Sequence, residues 1–150
     1  MCILFLTVYI SGCSFPKIIV LEDPLTPEEH LNLGVAYEKG GEFDEAIKEY
    51  DKASKKLPVA YVYMGNIHFI KSQYEKAEHY YKKALKKDEE NADAYNNLAW
   101  IYYLQKRELD SAEEYAKRAI ELNPEKKSYY EDTLMKIQNL RRDNRLLDIK

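Results

Sequence analysis

Beyond residue 13 the chain has no cysteine: its only two, Cys2 and Cys13, lie at the start. A disulfide framework for the body of the fold is excluded, and so is a zinc site built from several cysteines. Histidine is almost as scarce, and His30, His68 and His79 stand too far apart for any metal-ligand spacing. Glycine and proline number five each, so regular structure is seldom interrupted. The glycines form no phosphate-cradling loop, and neither a Gly-x-Ser-x-Gly elbow nor a His-Glu-x2-His pair occurs. Charge of one sign is missing too. Lys and Arg total 23 against 26 Asp and Glu, a formal −3 without the basic stripe that nucleic acid requires. Lys82-Lys83, Lys86-Lys87 and Arg141-Arg142 are basic islands among acids and read as solvated faces. No apolar run reaches the ~20 residues needed to span a bilayer. These absences predict a protein that is not an enzyme, with no cofactor, no metal site and no nucleic-acid partner.

What is present is helical repetition. Charged residues make up 33 % and hydrophobic ones 45 %, a mixture that suits a soluble helical fold and argues against wholesale disorder. Three times the same spacing returns. The first copy is His30-x2-Leu33-Gly34-x2-Tyr37, then Ala46-x3-Tyr50, Ala53 and Pro58. The second is Tyr61-x2-Met64-Gly65-x2-His68, then Ala77-x3-Tyr81 and Ala84. The third is Tyr95-x2-Leu98-Ala99-x2-Tyr102, then Ala112-x3-Ala116, Ala119 and Pro124. Gly34 to Gly65 is 31 residues and Gly65 to Ala99 is 34, so the first junction is three residues short. Ala99 to Ala112 is 13 residues against 12 in the other two copies, which places one inserted residue at the turn near Gln105–Leu109.

This spacing resembles the tetratricopeptide repeat (TPR), a 34-residue helical hairpin with the pattern W-x2-L-G-x2-Y, A-x3-F, P. The small residues Gly34, Gly65 and Ala99 are expected where a second helix crosses, with Ala46, Ala77 and Ala112 facing them. Larger residues fill the remaining volume. Tyr37, Tyr50, Tyr61, Tyr74, Tyr81, Tyr95 and Tyr102 occupy such packing positions, which accounts for half of the 14 tyrosines without a ligand cage. His30 and His68 likewise fall on packing positions.

Local signals agree. Thr26-Pro27-Glu28-Glu29 is a capping box with proline at the first helical position. Gly40-Gly41 stops that helix. Asn91 caps the third pair, and Asn123-Pro124 ends it. From Ser128 to about Asp143 helical apolar spacing continues at Tyr130, Leu134, Ile137 and Leu140. This resembles the C-terminal helix that shields the last repeat from water. The expected fold is all-α, a right-handed superhelix of three TPR hairpins plus a capping helix. The expected divisions are 26–57, 58–91 and 92–125 for the repeats and 126–150 for the capping helix and tail.

The first helix of each TPR pair lines the concave surface, and its free face is expected to meet a partner. Here that face carries Asn32, Val35 and Glu38, then Tyr63, Asn66, Phe69 and Ile70, then Asn97, Trp100, Tyr103 and Leu104. Phe69, Ile70, Trp100, Tyr103 and Leu104 form an aromatic, apolar patch suited to anchoring a segment. Asn66 and Asn97 offer donors and acceptors to a peptide backbone. Chaperone-binding TPR domains clamp a C-terminal carboxylate with Lys, Asn and Arg. The corresponding residues here, Leu31, Val35, Tyr63, Asp93 and Asn97, include no cation, so the expected ligand is an apolar or neutral segment.

The start of the chain carries a different signal. Ile3 to Ile10 is an apolar run that meets Ile10-Ser11-Gly12-Cys13. Its length fits a secretory h-region, and the four residues resemble a bacterial lipobox with Cys13 as the lipidated residue. Residues 1–12 are then a lipoprotein-type signal peptide and 13–25 a tether holding Pro16 and Pro24. Ser14 to Leu25 reaches at most ~40 Å at about 3.3 Å per residue. The apolar run Ile18–Leu21 is expected to pack on the first helix or lie in a groove. The resemblance implies an envelope-anchored adaptor, at the outer membrane or periplasmic face, that serves secretion, pilus or cell-wall assembly. An unprocessed signal would leave the protein cytoplasmic. The competing expectation is a self-assembling subunit whose groove is a homo-oligomer contact.

Overall fold

Helix formation begins where Thr26 closes a reciprocal cap. Its hydroxyl accepts from the Glu29 amide at 3.2 Å, and the Glu29 carboxylate accepts from the Thr26 amide at 2.8 Å. Two of the donors that a helix start leaves unpaired are satisfied in this way. The computed structural model describes residues 23–147. The signal peptide, Cys13 and Ile18–Leu21 lie outside the described residues. From the cap the chain runs through α1 (Pro27–Lys39), α2 (Phe43–Ser54), α3 (Val59–Ile70), α4 (Tyr74–Lys87), α5 (Ala92–Leu104) and α6 (Leu109–Leu122). A 3-10 turn, Pro124–Lys126, leads into α7 (Lys127–Leu147). No strand occurs among the described residues. None of the described helices is long and apolar enough to cross a membrane.

Consecutive helices pair as hairpins, and the hairpins stack in order to form the superhelical array. The even helices bury one stripe each: Ala46, Tyr50 and Ala53 on α2, Ala77, Tyr81 and Ala84 on α4, Ala112, Ala116 and Ala119 on α6. Helices α3 and α5 sit between neighbours on several sides and bury seven residues each. That is why their sequences are apolar almost all round.

The shortened first junction is taken from helix ends, not from the loop. Four residues link α2 to α3, and four link α4 to α5. Instead α2 ends four residues after Tyr50, whereas α4 continues six beyond Tyr81, and α3 begins one residue nearer its glycine than α5 does to Ala99. The inserted residue of the third repeat lies where the spacing places it. Residues 105–108 join α5 to α6, against three-residue turns at 40–42 and 71–73. In all three turns the second residue is left-handed: Gly41, Ser72 and Lys106, with φ of 78°, 56° and 51°.

The structure adds a ring to this packing row. The three atoms nearest to where a side chain would start at Gly34 and Gly65 all belong to tyrosine rings, Tyr50 and Tyr81. An alanine spaced one turn ahead of the ring suits a close helix approach, and the ring's Cδ1–Cε1–Cζ side then occupies the space beside the glycine. The third repeat has Ala99 and Ala116 at the two positions, both fully buried.

Polar groups lock the stack. Glu78 of α4 pairs with Lys82 at 2.6 Å and with Arg107 from the third-hairpin turn, and the Arg107 guanidinium lies 4.4 Å above the Tyr102 ring. Burial works to raise the Glu78 pKa, but Lys82 and Arg107 outweigh it and hold the carboxyl below its ordinary value. His30 is buried between Glu49 at 2.5 Å and Asp23 at 3.2 Å, and His68 stacks on Tyr80 with centroids 5.2 Å apart. Both are packing residues, as their repeat positions predict. The end of the array is closed by α7, which buries Tyr130, Thr133 and Ile137. Its Arg141 pairs with Glu113 and Asp110 of α6.

Candidate functional site

On the face made by the odd-numbered helices, α3 and α5 diverge and leave a cleft of about 670 Å³. Its apolar walls are Val59, Val62, Tyr63, Phe69 and Ile70 from α3, Trp100 from α5 and Tyr129 from the start of α7. Glu38 lines one side, and Asp93 with Lys126 lines another.

Repeat geometry places these side chains. Positions three and four apart on a helix share a face, so Tyr63, Asn66 and Ile70 align on α3, as do Asp93, Asn97 and Trp100 on α5. Tyr63 is fixed from below, its ring stacked on Tyr50 with centroids 5.1 Å apart. Phe69 leans on Tyr74 at 5.5 Å. Trp100 stacks on Tyr103 at 5.1 Å, and the Lys136 ammonium of α7 sits 5.0 Å over its ring.

The floor is polar and organised. Asn66 Oδ1 accepts from the Tyr81 hydroxyl at 2.8 Å and from Asn97 Nδ2 at 3.1 Å. Burial raises the Tyr81 pKa, with Tyr129 adding to the effect, so the hydroxyl remains a neutral donor. These bonds use one end of each amide. Among the described residues nothing bonds Asn66 Nδ2 or Asn97 Oδ1, which leaves one donor and one acceptor for an extended backbone.

The charged groups are held by the same rows. The Tyr50 hydroxyl donates to Glu38 Oε2 at 2.6 Å. Lys126 reaches back from the 3-10 turn to Asp93, with Nζ 2.7 Å from Oδ2, and the Tyr130 hydroxyl donates to Asp93 Oδ1 at 2.7 Å. Among the described residues no group of His, Cys, Asp and Glu has metal-binding geometry.

Of the ten groove residues read from the sequence, six line the cleft: Tyr63, Asn66, Phe69, Ile70, Asn97 and Trp100. Four do not. Asn32 is exposed and Val35 packs on the core. Helix α1 has a neighbour on one side only among the described residues, so it contributes its last turn, Glu38, and not its whole face. Tyr103 packs beneath Trp100, and Leu104 stands 39 % exposed at the rim. The cleft stops at Trp100 because α7 packs on α5 and its Lys136 covers the indole. Periodicity alone does not find Lys126 and Tyr129, because they come from the segment after Pro124, where the repeat ends.

Known proteins share this architecture. Family patterns described as "Tetratricopeptide repeat" match residues 27–58 and 64–127, together more than half of the chain. The human protein "Tetratricopeptide repeat protein 6" is 39 % identical over 77 residues, 49 % of this chain and 15 % of that protein. Human "Protein O-mannosyl-transferase TMTC2" is 31 % identical over 101 residues, 63 % of this chain and 12 % of that protein. The chain thus spans less than a sixth of the length of these curated relatives.

Among solved structures, "First TPR of Spaghetti (RPAP3) bound to HSP90 peptide SRMEEVD" superposes with a TM-score of 0.66 at 26 % identity. The match covers 75 % of this chain and 90 % of that one. The complex of the TPR2B domain of yeast Sti1 with an Hsp70 peptide gives 0.67 at 21 % identity, over 75 % and 96 % of the two chains. The type III secretion chaperone SycD of Yersinia enterocolitica, with a peptide of the translocator YopD, gives 0.67 at 21 %, over 78 % and 93 %. At that identity the last two speak for the fold alone. Three stacked hairpins, the glycine and alanine rows that join them and the matched patterns lead to one conclusion: the chain belongs to the tetratricopeptide-repeat family.

Proposed function

We propose that this protein is an interaction scaffold that holds an extended, apolar segment of a partner protein in the cleft between α3, α5 and α7. The observation that carries the reading is the cleft's composition. Aromatic walls bury large area at low entropic cost, and the Asn66–Asn97 pair leaves a donor and an acceptor that a peptide backbone can use. The RPAP3 neighbour is bound to a peptide, which supports a peptide-binding role for this fold. That peptide, SRMEEVD, is acidic. The residues here that correspond to the clamp of chaperone-binding domains, Leu31, Val35, Tyr63, Asp93 and Asn97, include no cation, so an acidic terminus does not suit this cleft. The reading is of a binding module and assigns no catalytic role.

The test is a pull-down with Trp100→Ala combined with Phe69→Ala, the fold being checked by circular dichroism. Partners captured by the wild type and lost by a folded double variant support the cleft; survival of every partner rejects it. In the same proposal the scaffold is tethered to a bacterial envelope through a diacylated Cys13. Each buried methylene of the acyl chains contributes about 0.8 kcal/mol, and one chain alone is marginal. Cys13→Ser then moves the protein out of the membrane fraction, and unchanged fractionation rejects the anchor. Self-assembly through the cleft is the competing reading. Light scattering across a concentration series that finds a dilute monomer counts against it.

A further inference from the structure

The charges of the cleft do not cancel, and from this we infer what its occupant carries: an apolar partner segment with a single lysine or arginine that pairs with Glu38. The inference rests on the cleft being the binding site. Asp93 is already satisfied within the chain, by Lys126 at 2.7 Å and by the Tyr130 hydroxyl at 2.7 Å. Glu38 is not. Its one bond is from the Tyr50 hydroxyl to Oε2, and among the described residues it has no cation within ion-pair distance. It is half-buried at the edge of the apolar wall. A carboxylate there is poorly hydrated and gains more from a cation than a fully solvated one does.

The neighbouring surface accepts such a side chain. The long aliphatic stem of Lys or Arg packs on apolar walls while its head reaches an acid. The Tyr63 ring, stacked on Tyr50 on one side, favours a cation over an anion at its other face, whereas the Trp100 ring already carries the Lys136 ammonium and supplies apolar surface. An acidic segment meets the reverse: two carboxylates, with Lys126, the one lysine that lines the cleft among the described residues, already committed to Asp93. Charge complementarity therefore selects a basic-apolar segment from the apolar class as a whole.

Random dodecapeptides displayed on phage and selected against the full chain test this. The comparison variant is Glu38→Gln, which keeps a carbonyl acceptor for Tyr50 and removes only the charge. Its thermal melt is expected to match the wild type. Wild-type selection should enrich one Lys or Arg flanked by aliphatic or aromatic residues. A synthetic consensus peptide should bind Glu38→Gln about tenfold more weakly, with a loss that shrinks as salt rises.

Enrichment of uncharged apolar peptides that ignore Glu38→Gln overturns the charge inference and leaves the cleft standing. Enrichment of acidic peptides overturns it as well. Binders that survive a folded Trp100→Ala, Phe69→Ala variant overturn the cleft itself. The chain's own Lys17-Ile18-Ile19-Val20-Leu21 has the same chemistry. If Lys17→Gln raises the consensus peptide's affinity, that run holds the cleft, in the same molecule or a second copy, and the partner assignment falls.

Discussion

The ring of Tyr81 occupies the space that a side chain at Gly65 would need. A methyl group there would come 2.7 Å from Cδ1, closer than real carbon contacts allow. Gly34 and Tyr50 repeat the relationship at 2.5 Å from Cε1. In the third repeat both partners are alanine, Ala99 and Ala116. Glycine goes with the ring and alanine with its absence, so the two positions form one packing unit.

Gly65→Ala should therefore change sign with its background. In the wild type, overpacking costs about 1–3 kcal/mol, against a helix-propensity gain of about 1 kcal/mol. The net expectation is a loss of about 1–2 kcal/mol in urea unfolding. In a Tyr81→Ala background the obstacle is gone, and the same Gly65→Ala should stabilise by up to about 1 kcal/mol. Additive effects in the double-mutant cycle would refute the coupling.

The hairpin turns predict a second asymmetry. Gly41, Ser72 and Lys106 share a left-handed backbone, but only the first is glycine. A residue with a Cβ pays roughly 1–2 kcal/mol there, offset in part by glycine's larger loss of freedom on folding. Ser72→Gly and Lys106→Gly should each stabilise by about 0.5 kcal/mol. Lys71→Gly, one residue earlier at a φ of −77°, should destabilise instead. Midpoints of chemical unfolding compare the three directly.

Most of the array was legible because a repeat states each contact more than once. A small residue three before an aromatic or histidine, and an alanine four before a ring or a second alanine, returned three times at nearly the same offsets, and the caps at Thr26 and Asn91 were single-residue signals with one physical use each. Repetition also misled in places. It transferred a full groove face to α1 and extended the third-repeat face to Tyr103 and Leu104, although the first and last units have different neighbours. Lys126 and Tyr129 were invisible for the same reason: they follow Pro124, where the period stops, and only folding carries them back to Asp93 and the cleft. The pairing of Gly34 with Tyr50 was also hidden, since spacing marks which positions are small but not which atoms they meet.

Acid should loosen the capping helix through Glu113. Its carboxyl is lowered to about 2 from an ordinary 4.5, chiefly by the bond from Lys117, with burial opposing and Gln138 and Arg141 of α7 adding. A carboxyl depressed in the folded state binds protons more readily when unfolded. Its contribution is complete above about pH 4.5 and disappears as the pH falls towards 2. Glu113→Gln should thus be less stable than the wild type at pH 7, and the gap should narrow steadily between pH 4.5 and 2. A gap that is independent of pH would mean that the side chain acts through packing alone.

Tyr129 offers the cleanest separation of binding from folding. It lines the cleft, yet it is 60 % exposed, and its aromatic contact is an edge to Tyr130 at 5.7 Å. Trp100 and Phe69 line the cleft too, but each also packs on a neighbouring ring, so truncating them costs some stability along with binding, even where the fold survives. Tyr129→Ser should shift stability by no more than about 0.5 kcal/mol, the usual range for an exposed site. Its effect on a bound segment should be larger, about 1–2 kcal/mol or roughly tenfold in affinity, as for an aromatic that closes over a ligand. The chain's single tryptophan supplies the readout, because Trp100 is half-buried in the same cleft. A seated segment should strip water from the indole and move its emission to the blue. In Tyr129→Ser the same blue shift should appear at about tenfold higher peptide concentration. An unchanged titration midpoint would mean that α7 walls the cleft without touching what it holds.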